Sequence, residues 1–167
     1  EWLVRERWTS PQRLVITGGS NGGLLMGAAI TQRPDLFAGV ACSVPLLDMV
    51  RYHKFGLANI WNEEYGTADD PEQFQWLYRY SPYHRVADTV RYPPMLLVAS
   101  ENDARVDPLH ARKMAARLQA AHAAGGPTLL LIERASGHGG AVTLSERIAQ
   151  VSAQWAFLMH YAGLKTP

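Results

Sequence analysis

Cysteine is nearly absent from this 167-residue chain: Cys42 is the only one. A single thiol cannot close an internal disulfide or build a cysteine-based zinc site. It lies in the apolar run from Ala38 to Val44, the setting of a buried structural thiol. Net charge is lacking too. Lys plus Arg number 16 against 15 Asp plus Glu, and the resulting +1 gives no electrostatic case for binding nucleic acid or an anionic membrane. No apolar run approaches the length of a membrane span, and no signal-peptide pattern is visible. His, Asp and Glu nowhere take metal-ligand spacing, so no metal or other cofactor is expected. The chain also lacks an initiator Met. It opens Glu1-Trp2-Leu3-Val4-Arg5, and the expectation is a start cut from a longer protein.

What remains is an ordinary globular balance, 47% apolar and 19% charged, over a length sufficient for one domain with a core. Four short apolar runs, at 13–17, 38–44, 94–99 and 128–132, read as buried strands. Helical patterns separate them: from Ser20 to about Gln32, where Pro34 stops it, from Pro108 to Ala124, and from near Thr143 to Tyr161. This alternation predicts an α/β fold with a mostly parallel sheet flanked by helices. Residues 1–8 read as the end of an amphipathic helix. The stretch 45–92 is the least regular: Leu46 to Phe55 is compatible with a helix, and Pro71 to Tyr80 has proline at the first turn of one. Between them Trp61-Asn62-Glu63-Glu64-Tyr65-Gly66 is aromatic and acidic without periodicity, the kind of loop that carries binding residues on such scaffolds.

The organising stretch is Arg13-Leu14-Val15-Ile16-Thr17-Gly18-Gly19-Ser20-Asn21-Gly22-Gly23. Gly18-x-Ser20-x-Gly22 between a strand and a helix fits a nucleophile elbow, in which a sharp turn lifts a serine Oγ clear of the sheet. The backbone N–H of Asn21 then points to the same place, at the positive end of the helix. Such a serine needs a base and an orienting acid, in chain order Ser, Asp or Glu, His, beyond the carboxyl ends of later strands. Asp103 follows the third strand and His138, flanked by glycines, follows the fourth. Glu101 is the nearest rival acid. His53, His84, His110, His122 and His160 fall at no strand end and are read as structural or solvated, and Asp107, before Pro108, is placed to cap the next helix.

Gly-Gly-Ser-Asn-Gly-Gly-Leu-Leu at 18–25, Gln-Arg-Pro-Asp-Leu-Phe at 32–37, Trp61-x-x-x-Tyr65-Gly66, Asp103-x-Arg105-Val106 and Gly137-His138-Gly139 together resemble the prolyl oligopeptidase family. The resemblance runs through essentially the whole chain in the same order. It implies a serine peptidase that cuts short peptides on the carboxyl side of proline, built on an α/β-hydrolase domain under a β-propeller. Carried over, it makes Ser20 the nucleophile, Asp103 the acid, His138 the base and the Asn21 N–H an oxyanion donor. It places Trp61 on the substrate proline ring, with Tyr65 and Val106 in the same pocket and Arg105 on a carbonyl preceding the proline. A flat apolar ring suits proline, which has no N–H to satisfy, and arginine offers a fixed fork of donors.

Ala104 departs from the family, standing where many members carry a second acid. The resemblance further implies that residues 1–167 are the C-terminal part of the catalytic domain. The propeller, the early sheet strands and a tyrosine that supplies the second oxyanion donor are then missing. Short proline-containing peptides and that missing N-terminal part are the expected partners, with no nucleic acid and no membrane. A cytoplasmic location is the favoured expectation, a periplasmic one being left open. Two other readings fit the motifs less fully: another hydrolase on the same scaffold, an esterase or acyl-peptide-releasing enzyme, and an inactive fragment acting only as an interaction module.

Overall fold

In the computed structural model, which describes residues 1–121, 125–140 and 143–164, four strands form one parallel sheet in the order β1-β2-β3-β4. They are β1 (Val15–Gly19), β2 (Gly39–Ser43), β3 (Met95–Ser100) and β4 (Thr128–Glu133). The register runs Val15 to Gly39, Val40 to Met95 and Met95 to Thr128, so the three strand-end loops that follow β1, β3 and β4 open on one rim. The helices are α1 (Trp2–Arg5), α2 (Asn21–Gln32), α3 (Asn62–Tyr65), α4 (Pro71–Tyr80), α5 (Pro82–Arg85), α6 (Leu109–Ala120) and α7 (Leu144–Tyr161).

Alternation along the strands sends Val40, Cys42, Met95, Leu97 and Ala99 to one face, where Met26 and Ile30 of α2 and Ala111, Met114 and Ala115 of α6 cover them. Full burial of side chains such as Ile30, Met95 and Leu97 contributes about 1.5–3 kcal/mol each. On the other face α7 crosses β2 and β1, and Gln154 Nε2 donates to Ser43 Oγ at 3.0 Å. Its outer side presents Leu144, Ile148, Val151 and Trp155, all exposed, at the 4-3-4 spacing of one helical stripe. Among the described residues β1 pairs on one side only, which leaves the serine-bearing strand at a sheet edge. No described helix is long and apolar enough to cross a membrane.

The caps are local chemistry. Asp70 accepts from the Glu72 and Gln73 N–H groups to start α4, with Pro71 at its first position. Thr143 and Glu146 form a reciprocal capping box at the start of α7. Asp107 Oδ1 accepts the Leu109 N–H at 2.8 Å at the head of α6.

Three expectations are corrected. Leu46 to Phe55 is not an α-helix; it is irregular chain with one 3₁₀ turn at Tyr52–Lys54, its backbone donors taken by distant side chains as set out below. The helix end expected over residues 1–8 comes earlier, at Arg5, ahead of Arg7 at φ 63°, and none of Trp2–Arg5 is buried. The helix after Pro108 ends at Ala120; residues 122–124 lie outside the described residues.

Candidate active site

Ser20 sits between β1 and α2 at φ 56° and ψ −120°, a conformation that costs a non-glycine residue of order 1–3 kcal/mol. The neighbouring glycines make the turn feasible. A Cβ at position 18 would collide with the Gly22 carbonyl, and one at position 23 would come within 2.6 Å of Pro45 Cβ. The Ser20 N–H donates to the Ser43 carbonyl at 2.9 Å, which ties the strained residue to the end of β2. Asn21 opens α2, so its N–H has no carbonyl within the helix to receive it and is available at the positive end of the helix.

Asp103 and His138 arrive from the loops after β3 and β4, on the same rim. Asp103 follows β3, with its side chain fully buried. Its Oδ1 accepts the backbone N–H groups of Arg105 and Val106, each at 2.9 Å. Its Oδ2 lies 2.7 Å from His138 Nδ1, and His138 Nε2 lies 3.0 Å from Ser20 Oγ. With one carboxylate oxygen saturated by amides, the other accepts the Nδ1 proton, which leaves Nε2 as the acceptor facing the serine. The loop bearing His138 is pinned to the loop bearing Asp103. Asn102 Nδ2 donates to the Arg134 carbonyl at 2.9 Å, and the buried Ser136 hydroxyl lies 3.0 Å from Ser100 Oγ and 2.8 Å from Glu133 Oε2. Sequence reasoning missed Asn102 and Ser136; their only signal was adjacency to the two loops.

Trp61, Tyr65 and Val106 come together in one apolar cluster with Leu24, Met49, Tyr52 and Leu77. Trp61 ends a 3₁₀ turn, and Tyr65 ends α3. Burial first, then the nearby Glu64 charge, pushes the Tyr65 phenol up to about 12, so it remains a donor. Arg105 is exposed, and its guanidinium has no hydrogen-bond or ion-pair partner among the described residues. Glu101 points elsewhere, paired with Arg112 at 2.8 Å. A groove of about 400 Å³ between β4 and α7 is lined by Leu131, Ala149 and Ala153 and, at the base of the His138 loop, by Glu133, Arg134 and Ser136; Trp61, Tyr65 and Val106 take no part in it.

The remaining histidines have other surroundings. His110 is not at the surface: it is buried, and its Nδ1 accepts the N–H groups of Leu47 and Asp48 at 3.2 and 3.0 Å. Burial holds this imidazole neutral, with its pKa pushed down to about 4. His84 lies 2.9 Å from Ser81 Oγ, His53 packs edge-on against Tyr52, and His160 is exposed on α7; His122 lies outside the described residues. Asp48 is fully buried and paired with Lys113, whose proximity holds the carboxyl below the usual range against the cost of burial. Cys42 is buried beneath the elbow, its Sγ 3.3 Å from the Gly23 carbonyl, and burial pushes the thiol pKa up. Among the described residues no group of three or more His, Cys, Asp or Glu could hold a metal ion.

A parallel sheet with helices on both faces, a strained serine at a strand-to-helix turn and a carboxylate–imidazole pair on the same rim define an α/β-hydrolase. Within that class the chain belongs to the prolyl oligopeptidase family, whose sequence model matches residues 1–165. A prolyl endopeptidase of Elizabethkingia meningoseptica is 38% identical over 167 residues, which are 99% of this chain and 24% of that protein. A structure from a study of two prolyl endopeptidases, concerned with inter-domain dynamics in catalysis and specificity, superposes with a TM-score of 0.94 at 50% identity. It is matched over 98% of this chain and 24% of its own. A post-proline cleaving enzyme from Rickettsia typhi gives a TM-score of 0.94 at 39% identity, over 99% of this chain and 24% of its own. The chain thus spans about a quarter of the length of these relatives.

Proposed function

We propose that this chain carries the nucleophile, acid and base of a serine peptidase that cleaves short peptides on the carboxyl side of proline. The observation that carries the reading is the file of three side chains: Ser20 Oγ 3.0 Å from His138 Nε2, and His138 Nδ1 2.7 Å from an Asp103 carboxylate held by two amides. In the first step Ser20 Oγ attacks the scissile carbonyl carbon while its proton passes to His138 Nε2. The developing oxyanion accepts the Asn21 N–H. His138 then delivers the proton to the leaving amine, the C–N bond breaks, and a peptidyl ester remains on Ser20. Water, deprotonated by the same imidazole, releases the acid product.

The proline side chain seats against Trp61, Tyr65 and Val106, and Arg105 donates to a carbonyl on its amino side. Family membership and relatives with post-proline cleavage in their names support this specificity. The chain is also proposed to be the C-terminal part of its catalytic domain. A second oxyanion donor and cover for the open β1 edge then come from the rest of the polypeptide. The edge position of β1 and the length of the relatives support that view. The test uses the full-length protein that contains this chain, with matched fluorogenic peptides bearing proline or leucine before the scissile bond. Preference for proline is expected. Equal rates, or hydrolysis of simple acyl esters without peptide cleavage, would refute the assignment in favour of an esterase.

A further inference from the structure

Tyr65 makes one contact that lining a pocket does not require. Its hydroxyl donates to Asn21 Oδ1 at 2.9 Å, across 44 positions of sequence. Asn21 is the residue whose backbone N–H faces the proposed oxyanion, and it shares a peptide plane with Ser20, held at φ 56°. An exposed asparagine at the first position of a helix is otherwise free to turn, and this bond fixes it from the side of α3.

The position of Tyr65 is itself determined by a buried neighbour. Its ring meets Tyr52 edge-on, with centroids 5.6 Å apart and planes at 83°. Tyr52 is fully buried, and its hydroxyl lies 2.9 Å from Asn62 Oδ1 and 2.6 Å from the Gly66 carbonyl, at the two ends of α3. A chain of contacts therefore runs from the buried Tyr52 through α3 and Tyr65 to the residue beside the nucleophile.

We propose that Tyr65 is a positioning residue for the oxyanion donor: its hydroxyl, as distinct from its ring, holds Asn21 so that the backbone N–H meets the developing negative charge. The inference rests on the catalytic reading above and extends it. The hydroxyl acts on the transition state, where charge has appeared on oxygen, and leaves ground-state binding to the ring.

The experiment is a double-mutant cycle of Tyr65→Phe and Asn21→Ala in the full-length protein, with kcat and KM measured on a proline peptide. Affinities for a peptidyl-prolinal aldehyde, which forms a tetrahedral adduct on the serine, and for a proline-terminated product peptide are measured alongside. Tyr65→Phe keeps the ring and Asn21→Ala keeps the backbone N–H, and the cycle separates the link between them from the hydroxyl's interaction with Glu64. Each single variant is expected to lose about fivefold in kcat at unchanged KM, the factor associated with one ordinary hydrogen bond, with the double variant no worse than either. Aldehyde affinity should fall by the same factor while product affinity holds. Unchanged kcat in Tyr65→Phe, a rise in KM alone, or losses that multiply in the double variant would each overturn the proposal. A wild-type protein that cleaves no proline peptide would instead overturn the catalytic reading, and is told apart because parent and variants are then equally inactive.

Discussion

Asp103→Asn is the substitution whose consequence the geometry fixes most tightly. The carboxylate has two different jobs: Oδ1 accepts from the Arg105 and Val106 amides at 2.9 Å each, and Oδ2 faces His138 Nδ1 at 2.7 Å. An asparagine has one carbonyl oxygen to share between them. If the oxygen stays with the two amides, the NH₂ group faces His138, donates to Nδ1 and forces the ring proton onto Nε2. That tautomer cannot accept the Ser20 proton. Turning the amide over restores His138 but leaves two N–H groups, that of Val106 buried and that of Arg105 part-buried, facing an NH₂, at a cost of about 1–3 kcal/mol each. The productive orientation is thereby held to about one molecule in thirty or fewer, with 1.36 kcal/mol per factor of ten. The expected loss in kcat/KM therefore starts near 30-fold and extends to about 10⁴, the scale of the wrong-tautomer effect in another Ser–His–Asp peptidase. The assay is steady-state cleavage of a proline peptide by the full-length protein, with circular dichroism to confirm the fold. Glu101→Gln is the control, since Glu101 pairs with Arg112 and not with His138. Near-normal turnover by Asp103→Asn, with loss in Glu101→Gln, would refute the argument.

Trp61→Ala should erode the preference for proline over leucine by about 1–3 kcal/mol, read as the ratio of kcat/KM values; an unchanged ratio would remove Trp61 from the pocket. His110 has a folded pKa of about 4 against about 6.5 when unfolded. The unfolded chain thus binds the extra proton first as pH falls. Stability is full above about 6.5 and declines down to about 4, by about 3 kcal/mol in all. Denaturant unfolding at several pH values, with His110→Gln flattening the slope, checks this, as does an NMR titration in which the His110 imidazole is neutral at pH 5. Residues 1–167 expressed alone should self-associate, because the β1 edge and the Leu144, Ile148, Val151 and Trp155 stripe are uncovered. A sharply melting monomer in light scattering and calorimetry, with full peptidase activity, would contradict that.

Local chemistry makes much of this fold legible in the sequence. Continuous apolar runs located all four strands to within about two residues, and Pro71 and Thr143 marked helix starts that the structure keeps. The serine, acid and base candidates were readable because strand ends are few and the chain order is restrictive. What stayed hidden depends on partners far along the chain. The segment from Leu46 to Phe55 has a helix-compatible pattern, yet His110 takes the Leu47 and Asp48 N–H groups and Ser81 Oγ takes that of Met49. Asp48 Oδ1 caps Arg51, and Val44 adopts φ 40°. With its donors satisfied by side chains 32 to 63 positions away, the segment has no need of a helical ladder. His110, read as structural or solvated, takes its buried structural place through the same contacts. Val40 and Leu97 are fully buried beneath α2 and α6, while Leu144, Ile148, Val151 and Trp155 on α7 are among the exposed apolar side chains. The bond from Tyr65 to Asn21 joins two stretches that no periodicity relates.

The claim at the centre of this account is that Ser20, activated by His138, forms a peptidyl-prolyl ester. The most direct measurement is mass spectrometry of the full-length protein, acid-quenched during turnover of a peptide with proline before the scissile bond. The account predicts the acyl mass on the peptide that contains Ser20, absent from both Ser20→Ala and His138→Ala. Peptide cleavage that persists in Ser20→Ala, or an acyl group carried by any other residue, would contradict it.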